Sequence, residues 1–225
     1  MNRRPRALSV PSRVALLHAL EAATSEFEES IVLLHACGVT DCLDLPIGVV
    51  DRLLLQAHRL VTGRDLEAVA TCPACAALVA LPLGRDDVPA HAPRWAWCGP
   101  GAGVREPMGA DLLGLPEEPQ DAAEELARRC WVGPAPGPRD PQALDLAEQS
   151  LCGEVRVACT DCGAPVVEHV DVEHLVTAAV GDALASVDVE IHLIASRYGW
   201  DLPSIEALSE TRRVRLASLA AQVPA

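Results

Sequence analysis

Two Cys-x-x-Cys pairs are the residues of this chain whose type and spacing best support chemistry. The pairs are Cys72 with Cys75 and Cys159 with Cys162, four of the nine cysteines in 225 residues. A pair at this spacing can hold one metal ion from a single tight turn, and two pairs complete the tetrahedral coordination that zinc prefers. The sequence therefore predicts one structural zinc ion bound by all four thiolates.

The long separation of the pairs is unusual for a zinc ribbon. Residues 76–158 lie between them, whereas compact ribbons have only about 15–20 residues there. Two unrelated pairs, buried free thiols and a thioredoxin-like dithiol therefore remain alternatives to a shared site. The dithiol is disfavoured because the flanking sequences predict strands without a surrounding βαβ pattern. Gly163, after the second pair, suits the left-handed turn that such motifs often need, while Ala76 stands at the equivalent place after the first pair.

The charge balance excludes several functional classes. The chain has 32 acidic residues against 18 arginines and no Lys, a formal net charge of −14. A surface this acidic repels nucleic-acid backbones, and Lys chemistry is impossible. No apolar run of about 18 residues predicts a membrane span, and the apolar patch after the basic start is brief for a signal peptide. We expect a cytoplasmic protein with no nucleic-acid, membrane or small-molecule partner.

Hydrophobic periodicity places helices before the first pair. It predicts an amphipathic helix over residues 12–36, which Ser25 can divide, and a second helix over 47–62. A β-hairpin over 65–84 then carries the first cysteine pair. Only 3% of the residues are aromatic, so the core must consist of Leu, Val, Ile and Ala. A bound metal ion would help so small a core to hold the hairpins.

Residues 85–150 are expected to form an insert rich in Pro and Gly. They contain ten of the eighteen prolines, a short helix candidate at 121–131 and a linker around 134–138. An insert of this length explains the long separation of the two cysteine pairs. Its tryptophans are expected to anchor it to the core: Trp95, Trp97 and Trp131.

The second cysteine pair lies in a hairpin that mirrors the first. Strands are predicted at 154–157 and 164–170, on either side of the pair. The strongest helical stripe of the chain follows over 171–198. A short helix over 203–208 and a last helix over 209–221 complete the sequence.

These elements together predict an α+β fold. It consists of a zinc-ribbon-like pair of β-hairpins, N-terminal helices and a C-terminal helical subdomain. Three units are expected. Residues 1–84 contain the N-terminal helices and the first cysteine turn, or zinc knuckle. Residues 85–150 form the insert, and residues 151–225 contain the second knuckle and the C-terminal helices.

The C-terminal sequence resembles a known family. The stretch EIHLIASRYGWDLPSIEALSETRRVRLASL is similar to the tail of the phage baseplate hub assembly chaperone family, which is encoded with contractile phage tails and contractile injection systems. The shared pattern is an acidic residue, a His, a small residue, Tyr-Gly-Trp, an Ile-x-x-Leu turn and paired Arg. The matching residues are Glu190, His192, Ala195, Tyr198, Gly199, Trp200, Ile205, Leu208, Arg212 and Arg213.

Larger zinc-knuckle variants of that family resemble most of residues 12–220. LPIGVVDRLLLQAHRLVTGRDLEAVATCPAC is similar to their first knuckle region, VREPMGADLL and AAEELARRC to their middle, and VRVACTDCG to their second knuckle. Two positions depart from the pattern. Ala76 stands for the usual Gly, and Leu216 stands where an aromatic residue often follows the Arg pair.

The resemblance implies a non-enzymatic assembly factor, or a component of the baseplate or hub, with other baseplate or hub proteins as partners. It would act in the cytoplasm, and its incorporation into the finished particle stays open. Because Trp, Tyr and Arg are common interface anchors, the predicted partner-binding residues are Tyr198, Trp200, Arg212 and Arg213. Packing of the last helices onto the long one is the alternative role for the two aromatic rings.

Two further classes of function stay open. A zinc-ribbon adaptor in transcription or RNA metabolism would need a basic face, of which Arg212, Arg213 and Arg215 give a hint. A thiol-redox or metallo-enzyme is the third class, but no Ser-His-Asp set, phosphate loop or His-Glu-x-x-His motif supports it. Three histidines could in principle serve as ligands or bases. Of these, His169 and His174 are expected on the surface, and His192 in the core or an interface.

Overall fold

A computed structural model describes residues 8–84, 88–92, 94–99, 101–134 and 142–222. Within these ranges the chain forms eight α-helices and three small antiparallel sheets. The predicted α+β class, with N-terminal helices and a C-terminal helical region, is therefore confirmed. Most of the predicted linker around 134–138 lies outside the described residues.

The N-terminal region contains three helices. They are α1 (Arg13–Glu21), α2 (Glu26–Ala36) and α3 (Ile47–Thr62). The Ser25 hydroxyl accepts a hydrogen bond from the Glu28 N–H at 3.2 Å, which caps the start of α2. The predicted break of the first helical segment at Ser25 is thus confirmed.

The first cysteine pair joins two short strands. β1 (Ala68–Thr71) and β2 (Leu78–Leu81) pair antiparallel, with Thr71 opposite Leu78 next to the turn. Burial alternates along both strands, as expected for a sheet with one face on the core. Residues 68–81 form hairpin 1.

The insert holds more regular structure than its sequence indicated. Three strands form one antiparallel sheet, and two helices pack on it. These elements are β3 (Trp95–Gly99), β4 (Ala102–Arg105), α4 (Pro119–Cys130), β5 (Trp131–Val132) and α5 (Gln142–Ala147).

Small side chains explain why the sequence pattern gives no sign of this order. At Gly103 a Cβ would lie 2.4 Å from the Trp95 ring nitrogen, so close packing here depends on Gly. Trp97 is 71% exposed, so its predicted role as an anchor is wrong, whereas Trp95 and Trp131 are half-buried. The buried cluster of the insert consists mostly of small residues: Ala96, Val104, Ala127, Cys130, Ala143, Leu144 and Ala147.

The C-terminal elements follow the predicted order. β6 (Gly153–Ala158) and β7 (Pro165–Val170) pair antiparallel and form hairpin 2. The long helix α6 (Val172–Tyr198) follows directly, and α7 (Leu202–Glu206) and α8 (Glu210–Gln222) pack against it. Every one of these elements lies within two residues of its predicted bounds.

One apolar cluster joins both hairpins to the helices. It contains Cys72 and Cys159 from the two cysteine turns, Val79 of β2 and Val166 of β7, together with side chains of α1, α2, α3 and α6. The helical core therefore places the two hairpins side by side. Among the described helices, none combines the length and the apolar composition that crossing a membrane requires.

Candidate metal centre

The two cysteine turns share one set of backbone hydrogen bonds. In hairpin 1 the Cys72 N–H donates to the Ala77 carbonyl at 2.8 Å, and the Ala76 N–H donates to the Cys72 carbonyl at 2.9 Å. In hairpin 2 the two corresponding bonds of Cys159 are both 2.9 Å long. The same short loop thus presents a pair of thiols from each hairpin.

The residue that closes each turn has a left-handed backbone. The φ angle is 61° at Ala76 and 75° at Gly163, and Ala76 is the one described residue other than Gly with a positive φ. Gly adopts this conformation freely, whereas for Ala it costs about 1–2 kcal/mol. The first turn is therefore the strained member of the pair.

The structure brings all four predicted ligands together. The Cys72 sulfur lies 3.7 Å from that of Cys162, and the Cys75 sulfur lies 3.7 Å from that of Cys159. All four sulfurs lie within 4.8 Å of one another. Because each short contact joins hairpin 1 to hairpin 2, the site exists only where the two hairpins meet.

The sulfur positions fit a tetrahedral ion. Metal–sulfur bonds of about 2.3 Å to zinc place neighbouring sulfurs about 3.8 Å apart. The two 3.7 Å contacts match this edge, and the widest pair, within 4.8 Å, needs to close by about 1 Å at most. The four cysteines can therefore hold a metal ion.

The electrostatics of the four thiols favour a cation between them. The N–H groups of Ala74 and Cys75 donate to the Cys72 sulfur and lower the pKa of that thiol to about 7. The Ala77 N–H lowers the pKa of Cys75, but the neighbouring thiols of Cys162, Cys159 and Cys72 outweigh it and raise the pKa to about 12. Thiols this close cannot all ionise unless a positive charge lies among them.

Each cysteine pair has one buried and one exposed member. Cys72 and Cys159 are 1% and 3% exposed, whereas Cys75 and Cys162 are exposed. A bound ion would therefore have the apolar core on one side and solvent on the other.

No histidine completes the group. His169 and His174 lie on the surface, as expected, and a hydrogen bond of 2.9 Å to the Glu26 carboxylate raises the pKa of His174. Across the described residues, the four cysteines are the one group of metal-ligating side chains near enough to share an ion. His192 is exposed on α6, so of its two expected places the core is wrong, and an interface stays a prediction.

The other five cysteines lie outside the site. Cys98 and Cys152 are exposed, while the remaining three are buried. Burial raises the pKa of Cys37 to about 11 and that of Cys130 to about 12. Buried thiols of this kind pack like small apolar side chains and are unreactive.

Three of the four residues predicted to bind a partner lie on the surface. Tyr198 and Trp200 are 40% and 39% exposed, with ring centroids 6.0 Å apart, and Arg212 is exposed. Arg213 is instead 2% exposed, and its Nε donates to the Glu190 carboxylate at 2.8 Å. Arg213 thus holds α8 on α6 and does not face solvent.

Helix α1 joins the same ion-pair network. An Arg13 guanidinium nitrogen lies 3.4 Å from the Glu210 carboxylate and 3.8 Å from that of Glu190. The His18 ring nitrogen lies 2.9 Å from the Glu206 carboxylate. These contacts tie the N-terminal helix to all three C-terminal helices.

A buried polar network between the insert and α3 was not predicted from the sequence. Asp51, 2% exposed, accepts hydrogen bonds from the Ser150 hydroxyl at 2.8 Å and the Leu151 N–H at 2.7 Å. Glu106, 6% exposed, accepts one from the Gly48 N–H at 3.2 Å. Two features of the sequence could have revealed it: Asp51 is an acidic residue within an apolar helix, and Glu106 is the Glu of the VREPMGADLL motif. Both residues help to pack the insert.

Comparison with known proteins gives no assignment. No family model matches the chain, and neither a curated protein nor a solved structure matches it. The resemblance to the baseplate hub assembly chaperone family therefore stands on the sequence motifs alone, and a function that follows from it is a proposal.

Proposed function

We propose that the four-cysteine group binds one zinc ion with a structural role. Thiolates select zinc, copper(I) or iron–sulfur clusters, and four cysteines from two knuckle turns are typical of structural zinc. Four thiolates fill all positions of a tetrahedral ion, which leaves none for water or substrate. The ion would join hairpins 1 and 2, each of which is a sheet of only two strands and marginally stable by itself.

Elemental analysis of the protein purified without added metal tests this ion. We expect about one zinc per chain, removable by a strong chelator under mild denaturation. Replacement by Co²⁺ should give the intense visible and near-ultraviolet bands of tetrahedral cobalt thiolate. Iron or copper at the site, or a fully folded protein that contains no metal, would contradict the zinc proposal.

We further propose a non-enzymatic assembly factor or component of the baseplate or hub of a contractile phage-tail-like particle. The observation that carries this proposal is the exposed pair Tyr198 and Trp200, 40% and 39% accessible, within the segment that resembles the family. Large aromatic rings left on the surface favour docking to another protein. Its partners would be other baseplate or hub proteins, met in the cytoplasm before the particle is complete.

Deletion of the gene in the producing cell, followed by electron microscopy of the particles, tests the function. We expect absent or malformed baseplates, restored by the wild-type gene but not by the double variant Tyr198→Ala, Trp200→Ala. Trp97→Ala is the matched control, because Trp97 is a 71% exposed aromatic residue in the insert. Normal particles from the deletion strain would overturn the proposal.

A further inference from the structure

We propose that the C-terminal face binds an acidic protein segment that also carries aliphatic side chains. This inference rests on the proposed function, because it names the chemistry of the partner at the same surface. The C-terminal face comprises exposed residues at the end of α6, between α6 and α7, at the start of α7 and along α8: Arg197, Tyr198, Trp200, Leu202, Arg212, Arg215 and Leu219.

The C-terminal face contains three arginines that have no ion-pair partner among the described residues. Arg197, Arg212 and Arg215 are exposed, and their side chains make no ion pair or hydrogen bond with a described residue. The chain does not lack acidic groups, since its formal net charge is −14. A group of three such arginines on an acidic protein is therefore a specific feature of that face.

Three nearby carboxylates already have other partners. Glu190 pairs with the buried Arg213 at 2.8 Å, and Glu210 pairs with Arg13 at 3.4 Å. Glu206 similarly contacts a histidine of α1 at 2.9 Å. The ion pairs that hold the C-terminal helices together thus leave the three exposed guanidinium groups for a ligand.

The direction of α8 brings its exposed stripe toward the aromatic corner. Arg13 hydrogen-bonds to Ser186 of α6 and contacts Glu210 at the start of α8. One turn further along each helix, Glu190 meets Arg213. The two helices therefore run in the same direction, and α8 advances toward the end of α6 that carries Tyr198.

Apolar surface accompanies these charges. Four of the fourteen exposed large hydrophobic side chains of the described residues belong to this face: Tyr198, Trp200, Leu202 at 50% and Leu219 at 44%. A guanidinium binds a carboxylate with two parallel hydrogen bonds, and Trp and Tyr anchor aliphatic side chains. A segment that alternates acidic and aliphatic residues satisfies both parts of the face.

The net charge of the protein favours a short acidic peptide over larger anionic ligands. A nucleic acid or an anionic bilayer brings many negative charges close to a protein whose own formal charge is −14, and the repulsion opposes binding. A short protein segment brings only a few carboxylates to the three arginines. The ligand class that best fits the face is therefore an acidic peptide segment of a partner protein.

Fluorescence anisotropy with the full chain and two labelled peptides tests this inference. The probes are a helical peptide of about 16 residues composed of Glu and Leu, and its twin with Gln in place of Glu. At low ionic strength we expect the Glu peptide to bind at least about tenfold more tightly than the twin, with a preference that salt reduces. The double variant Arg212→Glu, Arg215→Glu should weaken its binding about tenfold or more. Arg64→Glu is the control, because the Arg64 side chain is exposed in another part of the chain and forms no ion pair with a described carboxylate.

Several results would overturn the inference. They are equal binding of both peptides, preferred binding of single-stranded DNA or of phosphatidylserine vesicles, and self-association in sedimentation velocity that the same double variant abolishes. Defective particles in the deletion strain combined with equal peptide binding would refute the acidic partner and leave the assembly function standing. Normal particles combined with selective binding of the Glu peptide would refute the assembly function and leave the acidic partner standing.

Discussion

Hairpins 1 and 2 carry the same cysteine turn on two different surfaces. The outward face of hairpin 1 has no charge: Val69 and Leu78 are 61% and 70% exposed, and residues 68–84 contain no charged side chain. The outward face of hairpin 2 carries Glu154 and Arg156, which form an ion pair of 2.9 Å. The turns match while the outer faces do not.

This difference separates what the metal site constrains from what it leaves free. The backbone bonds of the two turns agree within 0.1 Å, and the inward side chains Val79 and Val166 are both nearly inaccessible, at 3% and 2%. Ligation and core packing therefore fix the turn and the inner face of each hairpin. The outer face is determined by solvent or by a partner, and substitutions in each part can separate these contributions.

Loss of a ligand should have the largest effect and should not distinguish the hairpins. Cys72→Ser and Cys159→Ser each remove one of four thiolates, and structural zinc contributes about 10–16 kcal/mol of binding free energy in zinc-finger peptides. We expect metal content to fall from about one ion to none, and amides of both hairpins to lose hydrogen-exchange protection together.

The exposed Cys98 supplies the control for this experiment. Cys98→Ser should keep both the metal and the protection. If only the mutated hairpin lost protection, the idea that one ion ties the two hairpins together would fail.

Substitutions of the residue that closes each turn should change the free energy of unfolding in opposite directions in the two hairpins. Gly163→Ala places a Cβ in open space at a φ of 75°, so its cost is purely conformational, about 1–2 kcal/mol of unfolding free energy. Ala76→Gly relieves the same strain at φ 61°. It should stabilise by only about 0.5 kcal/mol, because Gly also gains freedom in the unfolded chain.

Urea unfolding of the metal-bound protein measures both changes. The double variant, with the two residues exchanged between the turns, should give the sum of the single effects because the positions are independent. Equal destabilisation by both single variants would show that the strain at Ala76 is not real.

A buried carboxyl group next to hairpin 2 should make the stability of the protein depend on pH. Glu173 follows hairpin 2 at the start of α6, one of its carboxylate oxygens is buried without a hydrogen-bond partner, and burial raises its pKa from 4.5 to about 7. The folded state thus favours the protonated acid, so stability is lost as pH rises from 4.5 to 7 and the loss stays constant above pH 7. Glu173→Gln should remove this loss.

The advantage of Glu173→Gln in unfolding free energy should therefore grow between pH 5 and 7. It should reach the order of 1 kcal/mol, since solvent screens the partly exposed carboxyl. Glu168→Gln, which replaces an exposed carboxylate of hairpin 2, is the matched control. A constant difference across the pH range would contradict the raised pKa.

Local patterns made most of the fold and the ligand set predictable. Cysteine spacing identified the four ligands, and the apolar stripe over 171–198 identified α6, because both signals lie within a few residues of sequence. The pairing of β4 with β5 in the insert was missed because it joins Val104 to Trp131, which no local period reveals. The two members of the Arg pair look alike in sequence, yet Arg213 is buried because Glu190, 23 residues away, accepts its hydrogen bond.

Substitutions on the outer faces of the two hairpins should have the smallest effects on the free energy of unfolding. Glu154→Ala or Arg156→Ala removes an exposed ion pair of hairpin 2 and should change the unfolding free energy by about 0.2–0.5 kcal/mol, less at high salt. Leu78→Thr on hairpin 1 should be equally mild, because a 70% exposed side chain buries little apolar area on folding. Both are measured by urea unfolding of the isolated protein at two salt concentrations. A destabilisation by Leu78→Thr well above about 0.5 kcal/mol would mean that another surface covers hairpin 1 in solution, and its uncharged outer face would then belong to an interface and not to solvent.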